Sequence, residues 1–525
     1  MVEHDEQTEQ VLNSQFAEYL RNKGASPLDV IVETEPGAAQ QVAEEIPGIS
    51  GAELGTAGII GGEFVAVSLP SEALPALTRL RNVVKVHYDQ PVGIKEAGRG
   101  LPQLPFLRPE NDPIGASISN AAFKLAKVED KYVGEVGISE VEVPQVNATP
   151  LPPGNPAQAL ASGLDHAFGL GITGEEYIPT EESVRWIRDS NMLDAHDGAD
   201  TKVAVIDTGH TPIPPANGGR SPHLESMVPG EPPQDMHGHG SWCTYTVAGK
   251  PSPSSWGTCQ GVAEGAQYGH FKALNTFPGF GMTSWILKAM ERARNWGADV
   301  ISMSLGGDQQ GPLDEDPYAR FIRRRCKENA GDDEGSIFVV AAGNSGPDQW
   351  TIGSPGVSEK ALTVGAWSMK DAAPSYYSSR GPQGKWYKDR GDDFREDRGS
   401  YGYAEFVKPD VTAPGGGRET KAKNDDEGEL LHQTSVGWME GLFDGLKDAR
   451  GLMKGTSMAT PHVAGLVTRL YDAGIVTTAA DVKRVVRDRG DVRNYPRAAA
   501  NANVTEQGKN ISVGFGGVRE SLFSP

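Results

Sequence analysis

Three short segments hold the side chains best suited to acid–base and nucleophilic chemistry. In Val203-Ala-Val-Ile-Asp207-Thr-Gly209 an apolar run ends on a carboxylate. An imidazole follows 32 residues later, in His239-Gly-Ser-Trp-Cys-Thr. Far downstream, Gly455-Thr-Ser457-Met-Ala-Thr-Pro-His-Val-Ala-Gly465 sets a hydroxyl among small residues. Taken singly, each has an ordinary explanation. An Asp before Thr-Gly belongs in a turn, a lone His is a structural or surface residue, and a Ser entering a helix is a cap. Taken together they are the group types from which an activated nucleophile is assembled, since a hydroxyl is weak until a neighbouring base takes its proton.

The elements that must position these groups are legible from pattern. A short apolar strand over 202–206 ends next to Asp207, a helix starts at or just after His239, and Ser457 lies in the first turn of another. Pro461 follows early enough in that helix that its missing N–H is expected to disrupt little. Further apolar strands are predicted over 267–272, 300–303, 337–341 and 361–364. The spacing over 283–297 predicts an amphipathic helix with Trp285, Ile286, Ala289, Met290 and Ala293 along one side. This alternation implies an α/β domain whose mostly parallel sheet is covered on both faces, with chemistry at the carboxyl ends of its strands. Upstream, strands over 29–33, 52–59, 63–69 and 83–88 and helices over 37–46 and 71–81 form a β-α-β-β-α-β unit. The resulting division is a polar lead-in (1–26), a small α+β domain (27–92), a Pro/Gly-rich connector (93–178) with a strand-like piece at 132–143, and the α/β domain (179–525).

Composition bounds the function. At 525 residues the chain calls for two or more domains. Its net charge of −21, from 70 acidic and 49 basic residues, argues against nucleic-acid partners. It reads as a solvated acidic surface, with adaptation to high salt as the sharper alternative. Cys243, Cys259 and Cys326 make no disulfide framework. No apolar run has the length of a membrane span, so no membrane partner is expected. The polar, acidic opening residues lack the basic start and apolar stretch of an export signal. If the numbering begins at the true start, that points to the cytoplasm or to release without standard export.

The three motifs, in the order Asp, His, Ser, together resemble the subtilisin-like serine proteases (family S8) over about residues 180–525. The resemblance implies a three-layer α/β fold and a serine endopeptidase working through an acyl-enzyme. Ser457 would be the nucleophile, His239 its general base and Asp207 the group that orients and stabilises the imidazolium. His237 is a rival base, but only His239 is followed by Gly-Ser. Val339-Val-Ala-Ala-Gly-Asn344-Ser-Gly346 resembles the family's oxyanion-hole segment, with Asn344 and the Ser457 backbone N–H as donors. Ser304, Leu305 and Gly306 would form one wall for an extended substrate, and Ala341, Ala342 and Gly343 the other, around a pocket for medium or large uncharged side chains.

Residues 29–90 resemble the family's inhibitor-like, ferredoxin-fold propeptide, implying an autoprocessed zymogen whose own propeptide occupies the cleft. The partners implied are therefore an extended polypeptide and that propeptide. No cofactor is required for the chemistry. Many members bind structural calcium, and Asp308, Asp314, Glu315 and Asp316 are a candidate cluster, although a charge run is first of all a solvated surface. Residues 383–407 and 416–453 are charged insertions, and Cys243 is expected to be packed, not nucleophilic. Two other readings are a catalytically silent peptide-binding module and a related acid peptidase. His239 and Asn344 argue against the second, and the intact set of four groups against the first.

Overall fold

The computed structural model describes residues 6–22, 27–94, 177–214, 216–254, 257–276, 278–326, 335–401, 406–419, 429–435, 451–490 and 510–524. Most of the expected connector, with its strand at 132–143, and much of the 416–453 insertion lie outside the described residues.

The N-terminal module opens with helices α1 (Glu6–Val11) and α2 (Ser14–Asn22). It continues through β1 (Leu28–Thr34), α3 (Ala39–Glu45), β2 (Glu53–Ile60), β3 (Phe64–Leu69), α4 (Leu74–Thr78) and β4 (Val83–Tyr88). The strands run in the order β2-β3-β1-β4, every neighbour antiparallel. Strand alternation splits the apolar residues between two faces. Val30, Val32, Val65 and Val67 pack with Val42 and Leu77 beneath the module's own helices. Ile31, Phe64 and Ala66 instead join a core built on the larger domain. The expected polar lead-in is not merely polar: Leu12 and Phe16 are buried in the module's core.

After β5 (Pro91–Gly93) the described chain resumes with β6 (Tyr177–Pro179), α5 (Thr180–Ile187), β7 (Lys202–Asp207), β8 (His223–Ser226) and α6 (His239–Ala248). A hairpin of β9 (Ser252–Ser254) and β10 (Gly257–Cys259) leads to β11 (Gln267–Lys272), β12 (Phe280–Met282), α7 (Thr283–Asn295), β13 (Val300–Met303) and α8 (Pro317–Arg325). Then follow β14 (Ile337–Ala341), β15 (Leu362–Ser368), β16 (Ala373–Pro374), α9 (Gly391–Tyr401) within the 383–407 insertion, and β17 (Val411–Pro414). The last elements are β18 (Leu430–Gln433), β19 (Gly451–Met453), α10 (Thr456–Asp472) and α11 (Ala479–Arg489).

The main sheet runs β16-β15-β14-β13-β7-β11-β8, with β17 also beside β15, and all its pairs are parallel except β15–β16. One face, from Val203, Val205, Val300 and Val339, packs on α6 and α10 through Trp242, Val247 and Val463. The other, from Ala204, Ile206, Ile301 and Phe338, packs on α7 and α8 through Ile286, Met290 and Phe321. The layering is that of a subtilisin-like α/β fold. No described helix is long and apolar enough to cross a membrane.

The N-terminal module docks on α7 and α8 through charge as well as apolar contact. Buried Glu33 bonds Arg320 (2.5 Å), Arg324 (2.8 Å) and His87 (3.3 Å). Burial alone would raise its carboxyl pKa, but its His87 and Arg320 partners outweigh that and hold it at about 2. Asp89 accepts from Ser284 N (2.9 Å) and Oγ (2.7 Å), capping the first turn of α7 from another part of the chain. Burial pushes Asp89 up to about 6. Asn13 donates to Gln310 O (2.6 Å) and Glu315 O (2.8 Å), and Glu315 pairs with Lys85 at 2.8 Å. In the 308–316 run, then, Glu315 serves docking and Asp316 caps α8 by accepting from Ala319 N.

Candidate active site

Asp207 ends β7, between β11 and β13, where a strand delivers its last side chain to the rim of the sheet. Its carboxylate is fully buried. Oδ1 accepts from Thr208 N and from His239 Nδ1, both at 2.7 Å. His239 opens α6, preceded by Gly238 at φ 100°, a conformation suited to glycine. Two further glycines are explained by crowding between the Asp207 and His239 loops. A Cβ on Gly209 would sit 2.7 Å from Gln234 O, and one on Gly240 would strike Gly209 O.

Asp235 ties these two loops together. Its Oδ1 accepts from Thr208 Oγ1 (3.0 Å), His237 N (3.0 Å) and Gly238 N (2.9 Å), while Oδ2 accepts from Ser241 N (2.7 Å). A buried carboxylate at the start of α6 meets N–H groups that have no partner within the helix. Sequence reasoning missed Asp235, although an acidic residue four positions before His239 was a readable cap signal.

Ser457 is the second residue of α10. α10 runs unbroken through Pro461, as expected, but the missing N–H frees one carbonyl. Residue 461 would normally donate to the carbonyl of 457; as a proline it cannot. That carbonyl is taken up instead by Ser304 Oγ (2.9 Å) and the Cys243 thiol (3.6 Å). Ser457 Oγ in turn donates to Ser304 O at 3.0 Å. The serine is thus locked reciprocally to the end of β13, and no hydrogen bond joins it to His239, whose buried Nε2 has no partner among the described residues. Cys243 Sγ, 3.8 Å from His239 Nδ1, bridges the neighbourhoods of the imidazole and the serine.

Electrostatics prepare the imidazole. Burial disfavours its charged form, yet the Asp207 carboxylate outweighs burial and lifts the His239 pKa well above 6.5. Burial also raises the Cys243 thiol, which fits a packed neutral group. Asp207, His239 and Cys243 are the one cluster of metal-ligand type among the described residues, and two of the three are already bonded to each other.

Asn344 lies three residues past the end of β14. Its Oδ1 accepts from Thr456 N (2.9 Å) and Oγ1 (2.8 Å). Its amide Nδ2 faces the turn before Ser457, where a Cβ on Gly455 would lie 3.2 Å from it. Thr456 therefore sets the amide's orientation, a role hidden in the sequence within a run of small residues. Of the six residues expected to line the substrate walls, Ser304, Leu305, Ala341 and Ala342 are buried. Gly306 and Gly343 are partly exposed.

Next to these walls lies the tail of the N-terminal module. β5 pairs antiparallel with β12, setting Gly93 opposite Phe280. On its other side Gly93 bridges Gly306, whose N–H reaches Gly93 O at 3.4 Å. Ile94 N donates to Gly279 O at 3.2 Å. Residues 91–94 are therefore the middle strand of three, running toward Ser304 and the serine locked to it.

The family profile described as the Subtilase family matches residues 198–516. Serine protease AprX of Bacillus subtilis (strain 168) is 32% identical over 310 residues, covering 56% of this chain and 62% of the relative. Pyrolysin of Pyrococcus furiosus is 32% identical over 304 residues, 48% of this chain but 19% of the relative. Subtilisin-like protease 2 of Pseudogymnoascus destructans is 26% identical over 388 residues, 73% and 77% of the two chains. The chain thus spans less than two thirds of the length of the first two.

Proposed function

The chain belongs to the subtilase family, and from that membership we propose that it is a serine endopeptidase made as an autoprocessed zymogen. Ser457 Oγ attacks the scissile carbonyl while His239 Nε2 takes its proton and later gives it to the leaving amine. Asp207, bonded to Nδ1, keeps the tautomer that leaves Nε2 open as the base and stabilises the imidazolium. Asn344 Nδ2 and the Ser457 N–H at the start of α10 receive the oxyanion. Water then resolves the acyl-enzyme. No cofactor enters the chemistry, and no calcium site is assigned.

The observation that carries this reading is the 2.7 Å Asp207–His239 bond with Nε2 left open, beside a serine held by a replaceable bond. A substrate strand in the register of β5 presents its own N–H to Ser304 O, because alternate residues of an antiparallel pair face the partner. It competes with Ser457 Oγ for that carbonyl, and the released hydroxyl turns to His239. Catalytic hydrogen bonds that tighten only with substrate bound are a general pattern. A silent peptide-binding module would need the groove alone and has no use for a buried Asp–His pair.

The expected propeptide, residues 27–92, then extends through Ile94 so as to include all of β5 as an intramolecular inhibitor, and the rest of the 93–178 connector leads to the peptidase domain at 179–525. The substrate is an extended polypeptide. Expression beside Ser457→Ala, with intact masses and labelling by a serine-directed fluorophosphonate, tests both parts. The wild type alone should shorten and take the label at Ser457. Labelling without shortening would remove the zymogen and keep the peptidase; neither would remove both.

A further inference from the structure

The tail strand touches its groove unevenly. Val92 and Ile94, 2% and 6% exposed, sink into the apolar core shared with Leu305 and Leu274. A Cβ on Gly307 would come 3.1 Å from Val92, and one on Gly279 3.1 Å from Ile94, so both positions already fill their space with medium aliphatic groups. Gly93 between them is different. It lies directly opposite Phe280, whose ring covers it. A Cβ there would sit 2.5 Å from Phe280 Cε1 and closer still to Cδ1. An aromatic ring laid across a facing glycine is a favourable cross-strand pair, since the missing side chain leaves the ring a flat surface to cover.

We propose that Phe280 is a specificity-determining residue that makes the groove select glycine at the position of Gly93, flanked by medium aliphatic residues. This rests on the reading of the cleft as a peptidase groove. The register gives the position relative to the cut. Gly93 faces Gly306, so a substrate strand in the same register would set the residue two positions further on opposite Ser304. Ser457 Oγ lies 3.0 Å from Ser304 O, so the carbonyl attacked belongs to that residue. The glycine is therefore the third residue on the amino side of the cut bond. Any larger residue there must push the ring off the groove. The ring is 38% exposed, so it can move, and the effect is discrimination, not exclusion.

Two internally quenched peptides test this, identical except for Val-Gly-Ile or Val-Leu-Ile before the residue at the cut, with the cut located by mass spectrometry. The module's own tail competes equally with both, so it cancels from the ratio of their kcat/KM values. The wild type should favour the glycine peptide by about tenfold or more, the scale on which apolar pockets discriminate. Phe280→Ala should bring the ratio to within about twofold of unity, with Phe280→Leu intermediate. A second arm uses the full chain: Gly93→Leu should speed fluorophosphonate labelling of Ser457 by loosening the tail, and adding Phe280→Ala should cancel the gain. Equal cleavage of the two peptides by the wild type, or an unchanged ratio in Phe280→Ala, overturns the inference while leaving the peptidase reading intact. No cleavage together with no labelling of Ser457 overturns both.

Discussion

The two halves of the site are built by different means. The Asp207–His239 half is finished: a buried carboxylate holds the imidazole, and Asp235 pins both loops with four hydrogen bonds. The Ser457–Asn344 half is held in reserve, its hydroxyl on Ser304 and its amide aimed by Thr456. Charge inside a low-dielectric core sets the first; backbone shape, and a carbonyl released by Pro461, sets the second. A base can be charged and oriented in advance, whereas a nucleophile bonded too early to its base gains nothing until substrate arrives.

Substitutions can strike one half of the site at a time. Asp207→Asn should cost the most, about 10⁴ in kcat, because the imidazole loses the tautomer its carboxylate enforces. That is the loss seen when the same carboxylate is replaced in other serine-protease triads. Asn344→Ala should lower kcat by about 10²–10³ with little change in KM, a figure from another member of this family. Thr456→Val removes one of the two bonds aiming that amide and should cost about tenfold, again in kcat, the size of one ordinary hydrogen bond.

The pH profile sharpens the same contrast. His239 must be neutral to act as base, and its pKa is raised above 6.5, so activity is present above the raised value and lost as pH falls through it. The acid limb of kcat/KM should therefore lie above 6.5 in the wild type. In Thr456→Val the limb should not move. Smallest of all, Cys243→Val should change kcat by less than about threefold, since a thiol is a weak donor to the Ser457 carbonyl and Ser304 still bonds it. A large loss there would mean that the thiol joins the two halves and that they are not independent.

What was legible in the sequence follows this divide. Apolar runs announced the strands: 267–272, 300–303 and 337–341 match the observed limits, and the 283–297 helix ends two residues early, at Asn295. The N-terminal β-α-β-β-α-β order was equally plain. The motif residues could be read because their neighbours are constrained, as the crowding at Gly209 and Gly240 shows. What escaped were partners joined only in space. Ser304 read as a substrate wall, and the added hold of its side chain on the Ser457 carbonyl was not read. Asp235 and Thr456 were not singled out, because their partners Thr208 and Asn344 lie 27 and 112 residues away. Ile31, Phe64 and Ala66 gave β1 and β3 an apolar second face that a free-standing module has no reason to carry, which was an unread sign of docking. The effect of Pro461 needed only a count of four residues back along α10.

The N-terminal module grips the larger domain at several separate places: Asn13 on the 308–316 loop, Glu33 and Asp89 on α8 and α7, and β5 in the groove. While the chain is continuous, each contact raises the local concentration of the others. A cut beyond Ile94 would leave these bonds in place but abolish the tether. Release would then become a matter of dilution, and the buried Glu33 could leave its two arginines only by regaining water.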